Sequence, residues 1–127
     1  MDWRKFFTLA TRHLELNPCL SPGPWSWCAW TTFESLNEDL VYWTRPMILE
    51  NELGEIGADD GGTWGQPFLY SSFAHFIIPK KFRWEKYTSL GYEYGSHPQD
   101  IDGLSVVLKD NDIEHHISKY ALEVKLF

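Results

Sequence analysis

The side chains that could do chemistry are few, and their spacing is poor. His115 and His116 are adjacent, so on a strand they point to opposite faces and do not converge on one metal ion. His115, between Ile113 and Ile117, is expected to be packed or hydrogen-bonded, and His116 to face solvent. Cys19 and Cys28 are the only 2 cysteines. They fit neither a zinc pattern nor a secreted disulfide framework, so free thiols are expected, although a turn at Ser21 to Gly23 could close a bridge between them. "DIDG", Asp100 to Gly103, has the beginning of a calcium loop without its alternating third acid or its glutamate at position twelve. "ADDGG" reads as a turn. The sequence contains no G-x-S-x-G, P-loop, dinucleotide fingerprint, H-E-x-x-H or Cys-x-x-Cys. The expectation is a protein with no catalytic residues, no metal and no cofactor, and the lesser alternative is a small enzyme built from scattered histidines and carboxylates.

Charge is the stronger signal. The chain of 127 residues carries a formal net charge of −7. The stretch from Glu34 to Asp60 holds Glu34, Glu38, Asp39, Glu50, Glu52, Glu55, Asp59 and Asp60 against one base, Arg45, while acids and bases balance elsewhere. The whole net charge therefore belongs to one segment, which is expected to dock a basic partner. A solvated face that keeps the protein soluble predicts the same letters. Acids repel phosphate backbones, so nucleic acid is not expected as the main ligand. A smaller opposing signal is "KKFRWEKY", Lys80 to Tyr87, whose basic and aromatic residues suit single-stranded nucleic acid but also an edge strand guarded by lysines. Trp30, Trp64 and Trp84 are the candidate platforms for a small-ligand or peptide-binding module, and Trp64 joins the acids as a partner-binding candidate.

The elements that must position these groups read as an α+β fold, a single domain with a mainly antiparallel sheet and two or three packed helices. Asp2 is a candidate N-cap, and Trp3, Phe7, Ala10 and Leu14 recur at helical offsets, with Phe6 widening the stripe. Asn17-Pro18 should end that helix, and Pro22, Gly23 and Pro24 should make a turn. "WSWCAWTTF" reads as a strand with Trp25, Trp27, Ala29, Thr31 and Phe33 on one face and Ser26, Cys28, Trp30 and Thr32 on the other. Trp25 and Trp27 are expected in the core and Trp30 is the candidate for partial exposure. Asp39 to Trp43 and Pro46 to Leu49 read as short extended or irregular pieces, and Gly57 to Pro67 as a turn-rich loop. Phe68 to Pro79 fits either a long strand or a helix, with the strand preferred. Ser96 and Gln99 have capping-box spacing, which predicts a helix with Ile101, Leu104 and Leu108 as its stripe. The alternations in "IEHHIS" and "ALEVKLF" predict a terminal hairpin. No apolar run reaches the length of a membrane span, and the first residues lack the pattern of a secretory signal, so a cytoplasmic protein is expected.

The many tryptophans, the acidic segment and the ending "HPQDIDGLSVVLKDNDIEHHISKYALEVKLF" together resemble the small immunity proteins encoded beside bacterial polymorphic toxins, including those of contact-dependent growth inhibition. The resemblance implies a cytoplasmic protein that binds one cognate toxin domain, often a basic nuclease, and blocks its active site or substrate groove.

Overall fold

The computed structural model describes residues 1–15, 26–59 and 67–127. Helix α1 spans Trp3–Glu15, and the Asp2 carboxylate caps it by accepting the Lys5 N–H at 3.0 Å. Trp3, Phe6, Phe7, Ala10 and Leu14 are all buried, as the helical spacing predicts. The proposed stop at Asn17-Pro18 and the Pro22 to Pro24 turn lie outside the described residues, as do Cys19 and Trp25.

Five strands form an antiparallel sheet in the order β2-β1-β5-β9-β8, with β1 at Cys28–Thr32, β2 at Trp43–Arg45, β5 at Phe73–Pro79, β8 at His116–Ile117 and β9 at Ala121–Lys125. The register pairs Trp30 with Phe76 and Phe76 with Val124, so these residues share one face, which α1 covers. Trp3 meets Phe73 at 5.1 Å, and Phe7 meets Phe76 at the same ring separation. The remaining strands form two small hairpins, β3 (Gly57–Asp59) with β4 (Pro67–Leu69), and β6 (Lys81–Thr88) with β7 (Gly91–Pro98). Helix α2 is one short turn, Phe33–Asn37, and α3 spans Ile101–Asp110. The fold is α+β, and the terminal hairpin of β8 and β9 forms as its alternation predicts.

Three expectations change. Trp30, expected to be partly exposed, is only 2% exposed, whereas Trp27 is half-buried. The alternation of β1 is as read, but the helix lies on the side of Cys28 and Trp30, and Trp27 instead stacks on Phe82 of the β6–β7 hairpin at 6.0 Å. The run Phe68 to Pro79 is extended rather than helical, but a 3₁₀ turn at Tyr70–Ser72 breaks it into two strands. Phe33, read as the end of a strand, opens α2, with the Thr32 hydroxyl accepting the Ser35 N–H at 3.2 Å.

The start of α3 also moves. Ser96 lies in β7, and the cap is Asp100, whose carboxylate accepts the Gly103 N–H at 3.0 Å. Gln99 is occupied elsewhere. It is buried, its amide oxygen accepts the Trp27 N–H at 2.9 Å, and its amide nitrogen donates to the carbonyls of Trp27 and Pro79. One side chain thus ties the entry of β1 to the exit of β5. The predicted stripe of Ile101, Leu104 and Leu108 is buried.

Two outcomes follow from this packing. Trp30→Ala should cost about 3–5 kcal/mol, more than Trp27→Ala, because a fully enclosed ring leaves a cavity that cannot refill with water; chemical denaturation of both variants checks the order. Gly103→Ala should destabilise, against helix propensity, because a Cβ there would collide with the Asp100 carboxylate and stand 2.8 Å from His13 Nε2. In an Asp100→Ala background the cap is already absent, so the same Gly103→Ala change should instead stabilise, by up to about 1 kcal/mol.

Candidate functional site

The structure divides the acidic segment into two groups. Glu34 lies on α2, and Glu38 and Asp39 directly follow it, at the end of β1 where Thr32 pairs with Phe73. Arg45 pairs with Cys28 at the other end of β1, where it reaches Glu52 and the Asp59 carbonyl, and Glu50 and Glu55 lie in and just after the 3₁₀ turn that holds Glu52. The five-residue strand separates its two ends by roughly 13 Å. Among the described residues the acidic segment therefore forms two patches of different character. Asp60 and Trp64 lie outside the described residues.

In the second patch much of the charge is spent internally. The Arg45 guanidinium donates to both Glu52 oxygens at 2.7 and 2.9 Å. It also reaches the carbonyls of Pro46 and Asp59, while Glu52 accepts the Leu49 N–H. Both side chains are mostly shielded, at 18% and 16% exposure, so this pair staples the edge strand β2 to the 3₁₀ turn at Glu50–Glu52. Glu50 pairs with Arg12 at 2.6 Å in the open, and the guanidinium holds its carboxyl below the usual carboxylate range. Glu55 and Asp59 are exposed.

The first patch is different. Glu34, Glu38 and Asp39 are exposed and have no ion-pair partner among the described residues. Beside them Leu40, Val41 and Tyr42 are also exposed, Leu40 to 65%. This segment is held firmly to the sheet. The Thr31 hydroxyl donates to the Val41 carbonyl at 2.6 Å, and Tyr42 Oη lies 2.8 Å from His75 Nδ1. His75 Nε2 in turn lies 2.7 Å from Glu123 Oε1. A carboxylate only accepts, so in a neutral ring Nε2–H donates to Glu123 and Nδ1 accepts the Tyr42 O–H. These three residues occupy the sheet face opposite α1, and His75 is buried there. The sequence signal was slight: a histidine inside the apolar run "FAHFII" that, once buried, requires partners. Those partners, 33 and 48 positions away, follow no local spacing.

His115 donates from Nδ1–H to the Ile113 carbonyl at 2.8 Å, which leaves Nε2 to accept the Ser105 hydroxyl at 2.7 Å. Ser105 is buried, and the pair ties α3 to the start of β8. His116 is exposed. Burial pushes the Cys28 thiol up to about 12, which makes it unreactive in the folded protein. A cleft of about 720 Å³ includes Asp2, Lys5, Asp112, His116, Glu123 and Lys125 in its lining, a mixed set of charges with no single sign to select a ligand. Among the described residues, no three histidine, cysteine or carboxylate side chains are grouped to hold a metal ion, and no helix is long and apolar enough to cross a membrane. The chain matches no family model, no curated protein and no solved structure, so the local geometry alone carries the functional argument.

The two Arg–Glu pairs differ in what they do for the fold. Glu52→Gln should cost about 3 kcal/mol, because it leaves Arg45 half-buried without its counter-charge, whereas Glu50→Gln should be indistinguishable from the parent in denaturant unfolding, as is usual for exposed pairs. A charge reversal that included Glu52 would therefore test folding as much as docking.

Proposed function

We propose that this chain is a stoichiometric inhibitor of the immunity type, which binds one cognate bacterial toxin domain with a basic substrate groove and neutralises it by occlusion. The observation that carries the reading is the surface from Phe33 to Tyr42. Acids without counter-ions border exposed apolar side chains there, on a segment held in place by Thr31 and His75. Protein interfaces combine an apolar centre with a charged rim, and unpaired acids steer a basic partner into contact. The same acids match the phosphates that a nuclease groove would otherwise receive. Glu55 and Asp59 are exposed on the second patch and extend the acidic field without belonging to the contact. The site of action is the cytoplasm, where the cognate toxin would strike.

The test begins by isolating the partner from the native host and measuring association at several salt concentrations. Association should slow as salt rises, since exposed charges are screened within about 8 Å at physiological ionic strength. Joint Glu34→Lys, Glu38→Lys and Asp39→Lys should lower the on-rate by about tenfold or more with unchanged melting, and Leu40→Ser should act mainly on the off-rate. An association rate that is indifferent to both salt and the triple reversal would refute this docking surface.

A further inference from the structure

We propose that the free edge of β6 pairs with the same edge of a second copy, joining two β6–β7 hairpins into one four-stranded antiparallel sheet across a two-fold axis at Trp84. This surface is independent of the proposed inhibitory one, because the hairpin leaves the sheet at Pro79, the end opposite α2.

The hairpin is a sheet of two strands only. Thr88 pairs with Gly91 across a turn of two residues, Ser89 and Leu90, so this closing pair exchanges both of its backbone hydrogen bonds. In an antiparallel ladder such pairs alternate with pairs that exchange none. Phe82, Trp84, Lys86 and Thr88 therefore spend their backbone groups on β7. Lys81, Arg83, Glu85 and Tyr87 turn their N–H and C=O groups outward, where no other strand pairs with them among the described residues. The edge spans eight residues, without a bulge and without a proline. A row of unpaired backbone groups of this kind is a template for another strand. Beside it lies a cleft of about 390 Å³ lined by Trp27, Arg83, Trp84 and Glu85, space that side chains of an added strand would fill.

The order of charges selects a second copy as the occupant. Lysines on an edge normally repel a like strand, but here an antiparallel copy centred on Trp84 meets opposite partners. Arg83 falls opposite Glu85 of the second copy, Glu85 opposite its Arg83, and Lys81 opposite its Tyr87. All of these are outward-facing positions, so the register that matches the charges is also one that satisfies the backbone. An isologous contact requires this reciprocity, in which residue i meets j and j meets i. Within one copy Arg83 already lies 3.5 Å from Glu85 and 5.0 Å from the Tyr94 ring, so both charged groups stand on the face where the second copy would bring its own.

Sedimentation velocity across a concentration series tests the pairing. The unaltered protein should show a concentration-dependent dimer. Arg83→Glu alone and Glu85→Arg alone should each weaken it by about tenfold or more, because two attractive cross-strand pairs become repulsive. Mixing these two single variants should restore a dimer containing one copy of each, since every position 83 then faces an opposite charge at position 85. The double variant R83E/E85R should dimerise by itself. Circular dichroism of each single variant keeps a folding failure distinct from a lost contact. A parent protein that stays monomeric at every concentration would sink the proposal and leave the edge open to a strand of another protein. So would a dimer that the single changes do not weaken, or a mixture that fails to restore one.

Discussion

The contact between the first helix and the central strands is the constraint on which the rest of the molecule depends. Trp3, Phe6 and Phe7 project from one side of α1 onto Phe73 and Phe76 of β5, and Trp30 of β1 packs into the same cluster at 6.2 Å from Phe76. Each such ring contributes about 1.5–3 kcal/mol by leaving water, a sizeable share of the 5–15 kcal/mol net stability typical of a domain. Once this face is committed to the helix, the side chains of alternate residues on the same strands must emerge on the other side. Thr31, His75 and Glu123 are those residues. The chain from the Tyr42 hydroxyl through the His75 imidazole to the Glu123 carboxylate is therefore a consequence of where α1 sits.

That chain links the sheet to the exposed segment from Phe33 to Tyr42. Val41 and Tyr42 are anchored to Thr31 and His75, so the acids just before them are presented from a fixed position on the open face. A rigid segment loses little conformational entropy on binding, which makes its contacts worth more than those of a mobile loop. The second acidic patch shows the opposite economy. Arg45 and Arg12 engage Glu52 and Glu50, so part of the formal charge acts within the fold.

The β6–β7 hairpin is attached at its base and otherwise stands apart from the main sheet. Gln99 binds backbone at Trp27 and Pro79, and the Trp27–Phe82–His97 column stacks over the junction at 6.0 and 5.3 Å. The hairpin keeps Phe82 and Trp84 on a buried face and Lys81, Arg83 and Glu85 on an exposed one. Trp84 lies over its cross-strand neighbour Gly95, where a Cβ would stand 2.8 Å from the indole. Two surfaces thus lie at opposite ends of the sheet, one acidic and apolar, the other basic with a free backbone edge.

Local repetition made much of the fold legible in the sequence. The stripe of α1, the stripe of α3, the alternation of β6 and the terminal hairpin all depend on residues within a few positions of one another, where helix and strand periods act directly. The N-cap at Asp2 was legible for the same reason, while the cap at Asp100 was misplaced because Gln99, the residue that suggested an earlier start, is held by backbone groups 72 and 20 positions away. Tertiary structure alone decided which face of β1 meets the helix, and so reversed the roles of Trp27 and Trp30. It alone gave Glu50 and Glu52 arginine partners while leaving Glu34, Glu38 and Asp39 without one among the described residues, and brought Tyr42, His75 and Glu123 together. Each of these outcomes rests on the register between distant strands, and register is set by burial summed over the whole sheet, a quantity that no short stretch of sequence contains.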